Sequence, residues 1–62
     1  IKTIRTNTGL SQVLFARFMG VSVKTVEAWE AGRYQPDGAA RRLLYITREN
    51  PSFPVMSGIV AR

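Results

Sequence analysis

The sequence predicts an all-α domain, a small bundle of four to five short helices. Apolar residues recur three and four positions apart, which is the helical period. No segment alternates apolar and polar residues for long enough to form a strand. Glycine or proline follows each of the first four helical segments, and serine or aspartate precedes three of them. With 62 residues the chain forms one domain with a small core, which self-association would stabilise.

Serine and glycine delimit the first two helices. The first covers residues 1–8 and ends at Gly9. Ser11 is the expected N-cap of the second helix, residues 12–19, because its hydroxyl can accept a hydrogen bond from a free N–H of the first turn. Gly20 then ends this helix in the left-handed conformation.

The next two helices carry similar signals. Ser22 is the expected N-cap of a third helix, residues 23–31, which Gly32 ends as Gly20 ends the second. Asp37 is the expected N-cap of a fourth helix that continues to about Asn50, before a proline. Residues 1–50 therefore form the predicted main domain.

The apolar positions of these helices define the predicted core. Ala16 lies where the second and third helices approach closely. The apolar stripe of the fourth helix, which includes Ala39 or Ala40, is expected to close the core from the other side. The opposite face of the third helix, including Glu27, is expected to point outward. The predicted core residues are Ile4, Leu10, Phe15, Ala16, Met19, Val21, Val26, Trp29, Leu43 and Ile46.

Composition restricts the classes of function. Nine Lys and Arg against four Asp and Glu give a net charge of +5, which favours a polyanionic partner, nucleic acid before an anionic membrane. The absence of cysteine and histidine excludes disulfides, thiolate or imidazole metal sites and a Ser/His/Asp triad. We therefore predict no metal, no cofactor and no enzymatic activity. The only carboxylates that are close together, Glu27 and Glu30, fall on different faces of one helix.

Four linked motifs carry a resemblance to a known family: GLSQ at 9–12, FA at 15–16, GVS at 20–22 and WEAGR at 29–33. With them the chain resembles the XRE/Cro-type helix-turn-helix family of phage repressors and bacterial regulators. The similarity covers residues 1–47 and implies a fold of the lambda-repressor-like DNA-binding type. The sequences of residues 8–12, 20–23 and 36–40 are most similar to those of HigA-like antitoxins of type II toxin–antitoxin systems.

The resemblance implies a role for individual residues. Arg5 and Glu30 match an internal salt bridge of the family. Lys24 can donate to guanine, whereas alanine and valine in the recognition helix can contact only thymine methyls. We therefore expect few base-specific contacts. The implied base contacts are Val23, Lys24, Thr25 and Ala28, and the implied phosphate contacts are Gln12, Ser22, Arg33 and Tyr34.

Structural alternatives stand beside three of these roles. Gln12 is either a phosphate ligand at a helix N-terminus or an ordinary exposed residue of the first turn. Thr25 either touches DNA or belongs to a solvated helix surface. Tyr34 either donates to a phosphate or packs on the loop between the third and fourth helices.

Additional apolar residues allow two interpretations. Leu14 and Phe18 form a second i,i+4 pair on the second helix, and residues 51–62 form an apolar tail with a possible short fifth helix. These side chains either complete a small core or form a dimer contact, because a two-fold repressor needs a partner to span two half-sites. The dimer candidates in the tail are Phe53, Val55, Met56, Ile59 and Val60.

The predicted function is operator binding by a dimeric repressor. The expected partners are an inverted repeat in double-stranded DNA, a second copy of the chain and, from the antitoxin resemblance, a RelE-like toxin. Such an antitoxin and autorepressor is encoded by a bacterium or a phage. We expect it in the bacterial cytoplasm, without membrane association. The alternative is a protein-interaction module that keeps the scaffold and neutralises a partner without reading DNA.

Overall fold

The computed structural model describes residues 2–60, and this part of the chain folds into five helices without a strand. The all-α class and the order of the elements are confirmed. The predicted start of the first helix at Ile1 lies outside the described residues. The helices are α1 (Lys2–Thr8), α2 (Gln12–Met19), α3 (Val23–Glu30), α4 (Gly38–Glu49) and α5 (Phe53–Met56).

The three predicted N-caps are confirmed. The Leu14 N–H donates to Ser11 Oγ over 3.2 Å, and the Ala40 N–H donates to Asp37 Oδ1 over 2.9 Å. Ser22 Oγ accepts from the first turn of α3 in the same way, over 3.1 Å. Each cap satisfies a backbone donor that the helix cannot pair itself and contributes about 1 kcal/mol.

Glycine ends α2 as predicted. Gly20 has a φ of +75°, the left-handed conformation that a side chain disfavours. Helix α3 ends one residue earlier than predicted, with Ala31 as its C-cap, and Gly32 with a φ of +75° follows.

The most extensive packing between helices joins α2 with α3, α1 with α4, and α4 with α5. Nine of the ten predicted core residues lie in the core or against it. The buried members are Leu10, Phe15, Ala16, Val26 and Trp29. The half-buried members are Ile4, Met19, Val21 and Leu43.

The prediction for α4 was wrong at Ile46, whose side chain is 44% exposed. Leu44 and Thr47 are buried in its place. Hydrophobic spacing did not select Thr47 because its side chain is polar, yet its hydroxyl donates to the carbonyl of Leu43, one turn earlier, over 2.8 Å. This bond satisfies the hydroxyl within its own helix, so Thr47 is buried without an unpaired polar atom.

The apolar tail completes the core instead of lying free. Helix α5 is a single turn, and the chain leaves the helical conformation before Ile59. Val60 is buried, which contradicts its assignment as a dimer contact, and Phe53 and Val55 pack against the core. The ring of Phe53 meets that of Phe18 edge-on, with the centroids 6.1 Å apart. Tail residues 61 and 62 lie outside the described part.

Two of the tail's dimer candidates stay accessible. Met56 is 78% exposed and Ile59 is 53% exposed. The apolar pair of α2, Leu14 and Phe18, belongs to the core of its own chain, since Phe18 is buried and Leu14 packs against the same cluster.

None of the helices between residues 2 and 60 has the length and apolarity needed to cross a membrane.

Candidate nucleic-acid interface

Helices α2 and α3 and the three-residue turn between them form a compact unit. Ala16 is buried, and its small side chain allows α3 to approach α2 closely. Its carbonyl accepts from the N–H of Val21, which packs against the core within the turn. One side of α3 is buried through Val26 and Trp29. The turn therefore holds α3 against the core with its opposite side accessible.

The accessible side of α3 is narrower than predicted. Lys24 and Glu27 are exposed on it. Ala28, a predicted base contact, is only 4% exposed, so almost none of its surface is accessible to a base. After the last turn of α3, the Arg33 N–H donates to the Ala28 carbonyl over 2.9 Å, which satisfies a carbonyl that the helix itself leaves unpaired. Val23 is half-buried and packs against the core.

Ser22 and Thr25 are joined at the start of α3. Their hydroxyl groups lie 2.9 Å apart and share one hydrogen bond, while Ser22 Oγ also accepts from the Thr25 N–H. Two hydroxyl groups carry two hydrogens, and this bond uses one. The second hydroxyl hydrogen of this pair is therefore free to be donated to a phosphate.

Gln12 turns toward the protein. Its Nε2 donates to Glu30 Oε1 over 2.9 Å, and the side chain is half-buried. This contact is a third role, which neither of the two interpretations of Gln12 predicted. The amide still has a second hydrogen, and Gln12 begins α2, where backbone N–H groups are free.

Arg5 pairs with Glu30 as predicted. Arg5 Nε lies 2.7 Å from Glu30 Oε2, and Arg5 Nη2 donates to Oε1 over 3.4 Å. Arg5 Nη1 also donates to the carbonyl of Leu10 over 3.1 Å. With Gln12, these bonds connect the last turn of α3 to α1 and to the start of α2. The network fixes the orientation of α3, so its role is structural.

The surroundings of Glu30 determine its pKa. Burial, the largest influence, would raise the pKa of this carboxyl group. The hydrogen bonds from Arg5 and Gln12, with the positive charges of Arg5 and Lys2, together outweigh burial and lower the pKa below its ordinary value. Glu30 is therefore ionised in the folded protein at neutral pH.

This lowered pKa makes stability depend on pH on the acidic side. Because the unfolded state takes up a proton at Glu30 more readily, the free energy of unfolding falls as the pH drops from about 5 through the folded-state pKa. We expect the Glu30→Gln variant to show a smaller loss over that range, as measured by urea unfolding at a series of pH values. Glu27→Gln, at an exposed position of the same helix, is the control. An equal slope in wild type and Glu30→Gln would contradict the prediction.

Arg33 and Tyr34 follow the turn that ends α3, and both side chains are exposed. Tyr34 is 52% exposed, so part of its side chain is accessible to a phosphate and both interpretations of this residue stay open. Across the described range, neither Arg33 nor Lys24 forms an ion pair or a side-chain hydrogen bond. Their positive charges are therefore available to a polyanion near the exposed side of α3.

A second basic surface, which the sequence patterns did not indicate, lies between α1 and α4. It is open, with Ile4 and Leu44 on its floor and Arg41, Arg42 and Arg48 around it. Arg48 is engaged with Glu49 and lies over the ring of Tyr45. This surface adds to the positive field of the protein but belongs to different helices from the unit formed by α2 and α3.

Comparison with known proteins agrees with this geometry. A family model described as helix-turn-helix matches residues 1–40. The chain is 40% identical over 52 residues to the "Uncharacterized HTH-type transcriptional regulator YiaG" of Escherichia coli strain K12, covering 84% of this chain and 54% of that protein. It is 39% identical over 51 residues to the antitoxin HigA-2 of Vibrio cholerae serotype O1, covering 82% and 49%. The chain thus spans about half the length of the curated relatives it matches. No solved structure matches it.

Proposed function

The chain belongs to the XRE-type helix-turn-helix family, and on this premise we propose that it binds operator DNA as a dimer and represses transcription. The observation that carries the proposal is the placement of α3. One side of this helix is fixed in the core, and the opposite side exposes Lys24. Arg33 and Tyr34 follow at its end. The major groove, about 12 Å wide, accepts a helix presented in this way.

In this proposal each exposed group has a defined partner on DNA. Lys24 donates to the O6 and N7 atoms of a guanine. Arg33 and Tyr34 bind phosphates and fix the register of the protein on the duplex. The free hydroxyl hydrogen of Ser22 and Thr25 supports one further contact to a phosphate or a base edge.

Two predicted DNA contacts depend on residues that also serve the fold. The accessible part of Val23 is limited to contact with a thymine methyl. Gln12 meets a phosphate only through its second amide hydrogen and the free N–H groups at the start of α2.

We propose that a second copy of the chain covers Met56 and Ile59. Both are apolar and more than half exposed, and they lie three positions apart on the tail. A domain this small gains stability from burying such residues. A two-fold dimer would also present two copies of α3 to half-sites about one helical turn apart.

The similarity to an antitoxin supports a narrower proposal, that the chain is the DNA-binding part of an antitoxin that represses its own operon. The toxin partner would then be a RelE-like ribonuclease. The role of the chain itself is binding rather than catalysis. Glu30, one of only four carboxylates, is committed to Arg5 and Gln12. As a regulator of bacterial DNA, it acts in the cytoplasm.

A second candidate function rests on the narrow exposed side of α3. Because Ala28 is buried and Val23 is half-buried, few groups face a base. A protein-interaction module that neutralises a partner without specific DNA readout would tolerate this arrangement.

Selection from random duplex DNA at near-physiological salt separates the two candidates. We expect wild type to enrich an inverted repeat with half-site centres about 10 base pairs apart. Lys24→Ala should lose the preference for guanine at one position of each half-site, a preference of roughly 5- to 150-fold in wild type. Arg33→Ala should weaken binding to all sequences and reduce the salt slope by about 0.9.

Arg48→Ala is the matched control, because it removes one positive charge from an exposed ion pair on α4. It should change the selected sequence at no position. If wild type enriches no sequence, and retention on DNA disappears as salt rises, the repressor proposal is wrong and the interaction module takes its place.

A further inference from the structure

The exposed side of α3 carries two charged groups of opposite sign. Glu27 follows Lys24 by three residues, so the two lie on neighbouring turns of one helix face. Both are exposed, yet they form no ion pair with each other. In the range 2–60 the Glu27 carboxylate accepts no hydrogen bond from any side chain or backbone group. Glu27 is thus an acceptor without an internal partner, beside a donor in the same state.

We propose that Glu27 is a specificity-determining residue that accepts a hydrogen bond from the N4 amino group of a cytosine in the major groove. The inference rests on the proposed operator binding and extends it to a second base beside the guanine assigned to Lys24. Cytosine presents a donor in the major groove, whereas guanine presents two acceptors. Thymine presents an acceptor and a methyl group, and adenine an acceptor beside its donor. A carboxylate therefore favours cytosine.

The spacing on the helix places this cytosine close to the guanine bound by Lys24. Three residues advance about 4.5 Å along a helix axis, and successive base pairs are about 3.4 Å apart. Lys24 and Glu27 therefore reach the same base pair or adjacent ones. Other polar groups at the start of α3 are partly used internally, since Ser22 and Thr25 bond to each other.

The negative charge has a second consequence for recognition. A carboxylate in the groove is repelled by the phosphates on both sides, so it weakens binding to any sequence that lacks a donor for it. This repulsion acts against wrong sites, while the positive charges of Lys24 and Arg33 attract the protein to DNA in general. Glu27 thus raises the ratio of specific to non-specific binding.

The test uses random-duplex selection with the full chain, comparing wild type, Glu27→Gln and Glu27→Ala. Wild type is expected to enrich cytosine at one position of each half-site, within one base pair of the guanine whose preference is lost in Lys24→Ala. Changing that cytosine to thymine should weaken wild-type binding by roughly 5- to 150-fold. Glu27→Gln should select adenine there, because an amide pairs with the N6 and N7 atoms of adenine. Glu27→Ala should show no preference at that position.

The outcomes separate this inference from the proposed function. If wild type selects an operator and both Glu27 variants select the same bases at every position, the Glu27 assignment is overturned and operator binding stands. If wild type selects no sequence, operator binding fails and the Glu27 assignment fails with it. Binding of unselected DNA gives an independent readout, since both variants should bind it more tightly than wild type at low salt.

Discussion

Replacing Glu30 by alanine is expected to lower the free energy of unfolding by about 3 kcal/mol. The side chains of Arg5 and Glu30 are only 16% and 8% exposed, so the change leaves a largely buried guanidinium without its counter-charge. The amide of Gln12 loses its acceptor as well. A domain this small has only about 5 kcal/mol to lose. Urea unfolding followed by circular dichroism at neutral pH measures the change.

The second ion pair of the described chain provides a matched control. Arg48 and Glu49 are 59% and 57% exposed, and solvent screens such a pair. Glu49→Ala also removes one carboxylate but should cost less than about 1 kcal/mol. Replacing Arg5 and Glu30 together by apolar residues should cost less than Glu30→Ala alone, because no unpaired charge is then buried. Equal losses for Glu30→Ala and Glu49→Ala would contradict a structural role for the buried pair.

The helix boundaries were predictable because the signals that set them are local. A serine or aspartate oxygen bonds an N–H three residues later, as at Ser11 and Asp37, so the cap is visible in a few letters of sequence. The left-handed residue at Gly20 is equally local, because only its own backbone conformation matters. The family resemblance supplied the Arg5–Glu30 pair, whose members are 25 residues apart and have no local signal.

Other features depend on contacts that spacing does not specify. Helix α4 has apolar residues at 43, 44 and 46, and only packing decides which of them face inward. Ala28 fits an outward position on the helical period, yet it is buried in the folded chain. The two interpretations of the tail were equally compatible with its composition. The ring contact between Phe18 and Phe53 assigns Phe53 to the core of its own chain, and it joins residues 35 positions apart.

Truncating Phe15 is expected to cost about 3–5 kcal/mol, which leaves little or no folded protein. Its side chain is fully buried, and its ring lies 6.2 Å from that of Phe18, centre to centre. Phe18 in turn contacts Phe53, so one chain of aromatic rings connects α2 to the tail. Phe15→Ala leaves a cavity at the inner end of this chain, and the small core has few residues with which to fill it. Thermal and urea unfolding should both show the loss.

Val13→Ala is the control for Phe15→Ala, because Val13 lies on the same helix and is half exposed. Its effect should stay within about 0.5 kcal/mol. Phe15→Leu should lower the free energy of unfolding less than Phe15→Ala, since leucine keeps much of the volume that alanine loses. A Phe15→Ala protein that unfolds at the wild-type urea concentration would contradict the role of Phe15 in stabilising the core.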